Sequence, residues 1–245
     1  MIKTEDCQKF IIYVMQRIQG VKLLQDTSEK SITVSFLRKM LASSQSVLNL
    51  GMNGYDACII ACHMVEGIMQ LNWLLDNPKR IKDYEDYNII EMLALLKVDN
   101  THKEFLLSEV KNRNIQRHLK KDIIKRGKIT DAILLNQKNY NPNWYNPQIE
   151  KLSEIKQKVR FEGTKKAMKD LYGMYRTLCA YKHYAPYVMP SPYNLSEEWA
   201  IKPLNTAVVA TMHCLYLTVI YTSQFQNNAL DVDDIMKHYN QVLAQ

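Results

Sequence analysis

Arg176 and His183 stand seven residues apart in the stretch Tyr172-Gly-Met-Tyr-Arg-Thr-Leu-Cys-Ala-Tyr-Lys-His183. Seven residues are close to two turns of an α-helix, so the spacing puts both side chains on one face. Cys179 and Ala180 lie between them in the same stripe. An Arg–His pair is suited to cleaving RNA without a metal. Histidine can take the proton of a ribose 2′-hydroxyl or give one to the leaving oxygen. Arginine can clamp the phosphate and stabilise the charge that develops on it. Two such faces meeting across a two-fold axis would bring two arginines and two histidines together. A structural role fits the same spacing, because a histidine at a helix C-terminus can simply interact with the last carbonyls.

Glu66 is the third residue of interest. It sits three residues from His63 in an otherwise apolar segment, where a carboxylate is costly unless paired. It could reach Arg176 or His183 and orient them, or form a structural ion pair between two core helices. Cys58, Cys62 and His63 are close enough for part of a zinc site, but no fourth ligand at suitable spacing is apparent. A di-iron bundle needs Glu-x-x-His, which does not occur. Asp231, Asp233 and Asp234 lack the glycine and terminal glutamate of an EF-hand. No metal and no cofactor are therefore expected.

The elements that must position these residues are helical. The 245-residue chain has only 7 Gly and 7 Pro, too few for a many-turned β-architecture. It contains no glycine-rich phosphate loop, no Gly-x-Ser-x-Gly and no His-Glu-x-x-His. Apolar spacing predicts helices over about 5–25, 28–50, 55–76, 79–97, 147–160 and 164–184. Another should follow Pro203 and run to Ser223, and a last one should begin near Asp231. The fold class expected is all-α, a single domain over 1–245 built as a bundle of long helices. Gly51 suits the residue just past a helix end. The segment Leu204–Ser223 carries no Asp, Glu, Lys or Arg and is long enough to span a bilayer. Its asparagine, histidine and threonines favour a buried central helix instead, so no membrane partner is expected.

The net charge of +7 has one source. Lys111, Arg113, Arg117, Lys120, Lys121, Lys125, Arg126 and Lys128 face a single acid, Asp122, within a predicted helix over about 103–128. The rest of the chain balances. Such a segment is either a solvated basic face or a surface for a polyanion such as RNA. Fifteen tyrosines are present, and Tyr172, Tyr175, Tyr181, Tyr184 and Tyr187 gather around the Arg–His helix. Tyr172 and Tyr175 are candidates for stacking unpaired bases, although tyrosines more often pack in a core. The stretch 136–148, with two Asn-Pro pairs and Trp144, reads as an ordered loop. Five cysteines make no disulfide framework, and the acidic start has no secretory leader, so a reducing cytoplasm is expected.

The Arg-x6-His spacing late in a helical chain resembles the R-x4-6-H signature of the HEPN superfamily. Thr177 stands where many of its members have a polar residue after the arginine. A wider likeness covers about 44–223. Trp144, Tyr172, Tyr175-Arg176-x-Leu178-Cys179 and His183 look like an uncharacterised bacterial all-helical domain family. The apolar helix with Glu66, its Leu-Leu-Asp-Asn-Pro exit, Tyr84 and Tyr87 fit that family too, while His63 occupies a position where it has arginine. The resemblance implies a metal-independent endoribonuclease of a toxin or antiviral system, acting as a homodimer and held in check by a neutralising or regulatory protein. Arg176, His183 and Glu66 would then form the catalytic set. The alternative is a non-catalytic helical module that binds protein or nucleic acid.

Overall fold

The structure is a computed structural model that describes residues 3–51, 53–95, 105, 108, 109, 112, 165–183, 197–227 and 229–244. Among these residues there are seven α-helices and no strand. They are α1 (Thr4–Ile18), α2 (Ser28–Asn49), α3 (Gly54–Leu75), α4 (Pro78–Leu95), α5 (Lys165–Lys182), α6 (Glu197–Ser223) and α7 (Asp233–Leu243). The all-α expectation holds. The basic residues between Lys111 and Lys128, the 136–148 loop with Trp144, and the helix expected over 147–160 lie outside the described residues.

The chain divides into two compact units. One comprises Met1–Asn72 with Ser153–Gln245, and the other Trp73–Leu152. In the first, α6 runs through the centre and touches α1, α2, α5 and α7. Its residues Ala207, Val208, Ala210, Met212, Leu215, Leu217 and Val219 are all fully buried. Each large apolar side chain removed from water in this way contributes roughly 1.5–3 kcal/mol. The described buried polar residues of α6 are satisfied internally. Thr218 and Thr222 donate to carbonyls one turn back, and Tyr221 donates to Asn72 of α3 at 3.0 Å. His213 meets the Tyr239 hydroxyl at 2.5 Å, and Tyr239 stacks on Tyr216 with ring centroids 3.7 Å apart. Gly54–Leu75 and Lys202–Ser223 are both apolar and long enough to cross a bilayer; 61% and 78% of their apolar windows are buried within the fold.

Two helix boundaries differ from the spacing. The first helix ends at Ile18 rather than near Gln25, because Gly20 takes φ 84° in the left-handed region. The segment after it is held instead by the buried Gln226 side chain. Its amide nitrogen donates to the Leu24 carbonyl at 3.0 Å, and its oxygen accepts from the Leu24 N–H at 2.7 Å. The second helix starts where expected, capped by Thr27, which accepts from the Lys30 N–H at 3.3 Å. Gly51, at φ 55°, ends it as expected. The largest correction concerns Pro203. It sits inside α6, which opens at Glu197, rather than in the first turn. Lacking an N–H, it leaves the helix one hydrogen bond short at that turn.

In the second unit, the last turn of α3 and the start of α4 are joined around Arg80. Its guanidinium donates to the Trp73 carbonyl at 2.8 Å and to Asp76 at 3.0 Å, and lies over the Trp73 ring.

A candidate site on the exposed stripe of α5

α5 is two-faced. Ala167, Met168, Leu171, Tyr175 and Leu178 recur at three- and four-residue intervals and are buried, which fixes the helix against its neighbours. Lys169, Gly173, Arg176 and Thr177 are exposed on the other side. His183 follows the last helical residue and is exposed as well; its N–H still donates to the Cys179 carbonyl at 2.9 Å. Lys169, Arg176 and His183 are spaced by seven, so they form one exposed stripe about 20 Å long. Among the described residues, neither the Arg176 nor the His183 side chain has a hydrogen-bond or ion-pair partner. The pair expected to face a phosphate is therefore placed on one open face.

Glu66 occupies a different position from the one its expected role requires. Its carboxylate accepts two bonds from the Lys182 ammonium, at 2.8 and 2.9 Å, and one from the Tyr175 hydroxyl at 3.3 Å. His63 Nδ1 is 3.3 Å away on the other side. It makes no bond to Arg176 or His183. The reason is the helical register. Tyr175 and Lys182 form their own seven-spaced stripe, one residue before Arg176 and His183, and one residue is a rotation of about 100°. The stripe that turns toward α3 holds Tyr175 and Lys182, whereas Arg176 and His183 turn to solvent. Glu66 thus ties α3 to α5 and positions the stripe from behind.

Tyr175 is 6% exposed, so its ring is part of the core and offers no platform for a base. Burial, reinforced by its bond with Cys179, pushes its hydroxyl well above the usual tyrosine range. Tyr172 is half-buried beside the Arg–His stripe and keeps part of its surface accessible.

The cysteines also sort differently from their sequence spacing. Cys58 donates its thiol to the Pro203 carbonyl at 3.1 Å, and burial pushes it up to about 12. It therefore belongs to the α3–α6 contact and makes no set with Cys62 and His63. Cys62 is fully buried and meets Cys179 of α5, with the sulfurs 3.6 Å apart. Burial and the neighbouring Cys179 and Glu66 hold the Cys62 thiol far above its ordinary value. Sequence spacing gave no signal for this meeting, since 117 residues separate the two cysteines. Lys182 was likewise unmarked, although it directly precedes His183.

Residues 30–198 match a family of unknown function, DUF5677. The chain belongs to the DUF5677 family. This agrees with the expected likeness to a helical domain family without an assigned activity. The DUF5677 match includes Cys62, Glu66, Arg176, Cys179, Lys182 and His183, and so takes in both faces of the α3–α5 contact. It reaches only the first residues of α6 and leaves out α1 and α7. No curated protein and no solved structure matches the chain.

Proposed function

We propose that this DUF5677 protein is a metal-independent endoribonuclease of the HEPN type, a cytoplasmic toxin or antiviral effector that works as a homodimer. The observation that carries this reading is the common exposure of Arg176 and His183 on one face of α5. In the reaction, His183 takes the proton of a ribose 2′-hydroxyl. The 2′-oxygen attacks the adjacent phosphorus, the bond to the 5′-oxygen breaks, and that oxygen receives a proton. The products are a 2′,3′-cyclic phosphate and a 5′-hydroxyl. Arg176 neutralises the charge on the non-bridging oxygens. A second chain supplies a second histidine, so that one acts as base and the other as acid. Lys169 extends the positive stripe, Tyr172 is the remaining candidate for base stacking, and Lys111 to Lys128 guide the strand electrostatically. Glu66 is a positioning residue here, acting through Lys182 and Tyr175.

The test is incubation of purified wild type, Arg176→Ala and His183→Ala with total cellular RNA in EDTA, followed by mapping of the ends. Wild-type cutting with cyclic phosphate ends, lost in both folded variants, is the expected result. Cleavage that survives in His183→Ala overturns the assignment.

One observation favours the second reading, a nucleic-acid-binding module without cleavage. The Glu66 carboxylate is committed to Lys182, so it does not orient the His183 ring. Salt-dependent RNA retention with intact RNA in every sample would establish that reading instead.

A further inference from the structure

Cys62, Glu66 and Cys179 converge behind the exposed stripe. One ligand atom from each lies within 4.8 Å of the other two. Cys62 and Glu66 are four residues apart on one face of α3, and Cys179 arrives from α5. We propose that these three residues bind one divalent ion of the zinc type, which clasps α3 to α5.

Three features support the assignment. The first is geometry. Zinc–sulfur bonds of about 2.3 Å at a tetrahedral centre put two sulfurs about 3.8 Å apart. The observed 3.6 Å separation is within a few tenths of that edge. The second is ligand chemistry. Two thiolates select a soft or borderline ion and disfavour magnesium and calcium, which take all-oxygen shells. Three protein ligands leave one corner for water. The third is charge. Two thiolates and a carboxylate carry three negative charges, which a divalent ion and the Lys182 ammonium neutralise. Lys182 bonds both oxygens of Glu66, so it can keep one oxygen while the ion takes the other. Binding releases two protons: two thiols and one divalent cation give a dithiolate complex and two H⁺.

A disulfide is the competing product of two adjacent thiols. Forming it needs a two-electron oxidant, and the fully buried Cys62 is shielded from one. The ion, by contrast, would supply the positive charge that makes deprotonation favourable there. Cys179 lies three residues after Arg176 and four before His183, so the clasp would fix the turn of α5 that carries both. The ion touches neither of those side chains and takes no part in transesterification. The proposal is independent of the ribonuclease reading, because metal binding is measured with no RNA present.

The test is titration of the reduced, metal-stripped full chain with cobalt(II), read by the thiolate-to-cobalt charge-transfer band and the visible bands of a tetrahedral site. One equivalent should bind wild type, and zinc should displace it. Cys179→Ser should lose about half of the charge-transfer intensity, and Cys62→Ser/Cys179→Ser all of it. Glu66→Gln, which leaves both thiols in place, should weaken binding at least ten-fold. Cys58→Ser, whose hydroxyl can still bond the Pro203 carbonyl, should bind like wild type. Circular dichroism checks that each variant is folded. Absence of a thiolate band in wild type overturns the proposal, as does a band that persists in the double variant.

Discussion

The Lys182 ammonium bonds both carboxylate oxygens of Glu66, at 2.8 and 2.9 Å, from a side chain that is 21% exposed. This bridge is largely shielded from water, so it should matter more than a surface ion pair. Lys182→Ala should destabilise the fold by about 1–2 kcal/mol in urea unfolding, and Glu66→Gln by a similar amount. Burial is the largest single influence and opposes the charge on Lys182, but the bond to Glu66, its negative charge and the neighbouring Cys62 and Cys179 together outweigh it and raise the lysine above its ordinary value. A raised lysine stabilises the folded state fully below its unfolded value of about 10.4 and loses that contribution as the pH climbs through the folded value. Stability measured across the alkaline range should therefore fall more steeply in wild type than in Glu66→Gln. Equal slopes would mean that the bridge does not form in solution.

Arg176→Ala and His183→Ala should leave stability within about 0.5 kcal/mol of wild type, because both side chains are exposed and make no bond among the described residues. The same variants should lose RNA cleavage. This combination separates a functional stripe from a structural one. A thermal midpoint lowered in both variants by as much as in Lys182→Ala would assign the pair to structure.

Gln226→Ala should cost about 2–3 kcal/mol. It removes two hydrogen bonds and leaves the part-buried N–H and carbonyl of Leu24 without their partner. Amide hydrogen exchange at Leu24 should accelerate in this variant. Protection that stays at the wild-type level would show that the segment after Gly20 is held by something else.

Asp234 should make the protein more sensitive to acid. Its carboxylate accepts from the Tyr13 hydroxyl and from Arg17, and these bonds hold it below the usual carboxylate range. A depressed carboxylate contributes stability above its unfolded value of about 3.9, and the contribution is lost as the pH falls through the folded value. The urea midpoints of wild type and Asp234→Asn should differ at neutral pH and converge in acid. A gap that persists at low pH would place the effect elsewhere.

The helices were legible because their apolar residues recur at three and four positions, and that pattern is local. Gly51 was readable as a stop, while Gly20 passed unnoticed inside a continuous apolar pattern from Phe10 to Val21. Pro203 misled for a physical reason: its lack of an N–H favours a first turn, but a long buried helix can carry one missing bond. At the site, Arg176 and His183 shared a face as spacing requires. Tyr175 was expected as a base-stacking candidate, although Met168, Leu171, Tyr175 and Leu178 form one apolar stripe that puts it in the core. The bond from Glu66 to Lys182 and the contact of Cys62 with Cys179 were not readable. Each joins residues more than a hundred positions apart, and only the packing of α3 against α5 brings them together.

Tyr239 of α7 covers Tyr216 and His213 in the middle of α6. A chain cut before Asp233 would therefore lose the ring that lies on Tyr216 and expose part of the middle of α6 to water. α7 is part of the core it covers, so a nick in the link between α6 and α7 would be felt at the centre of this unit.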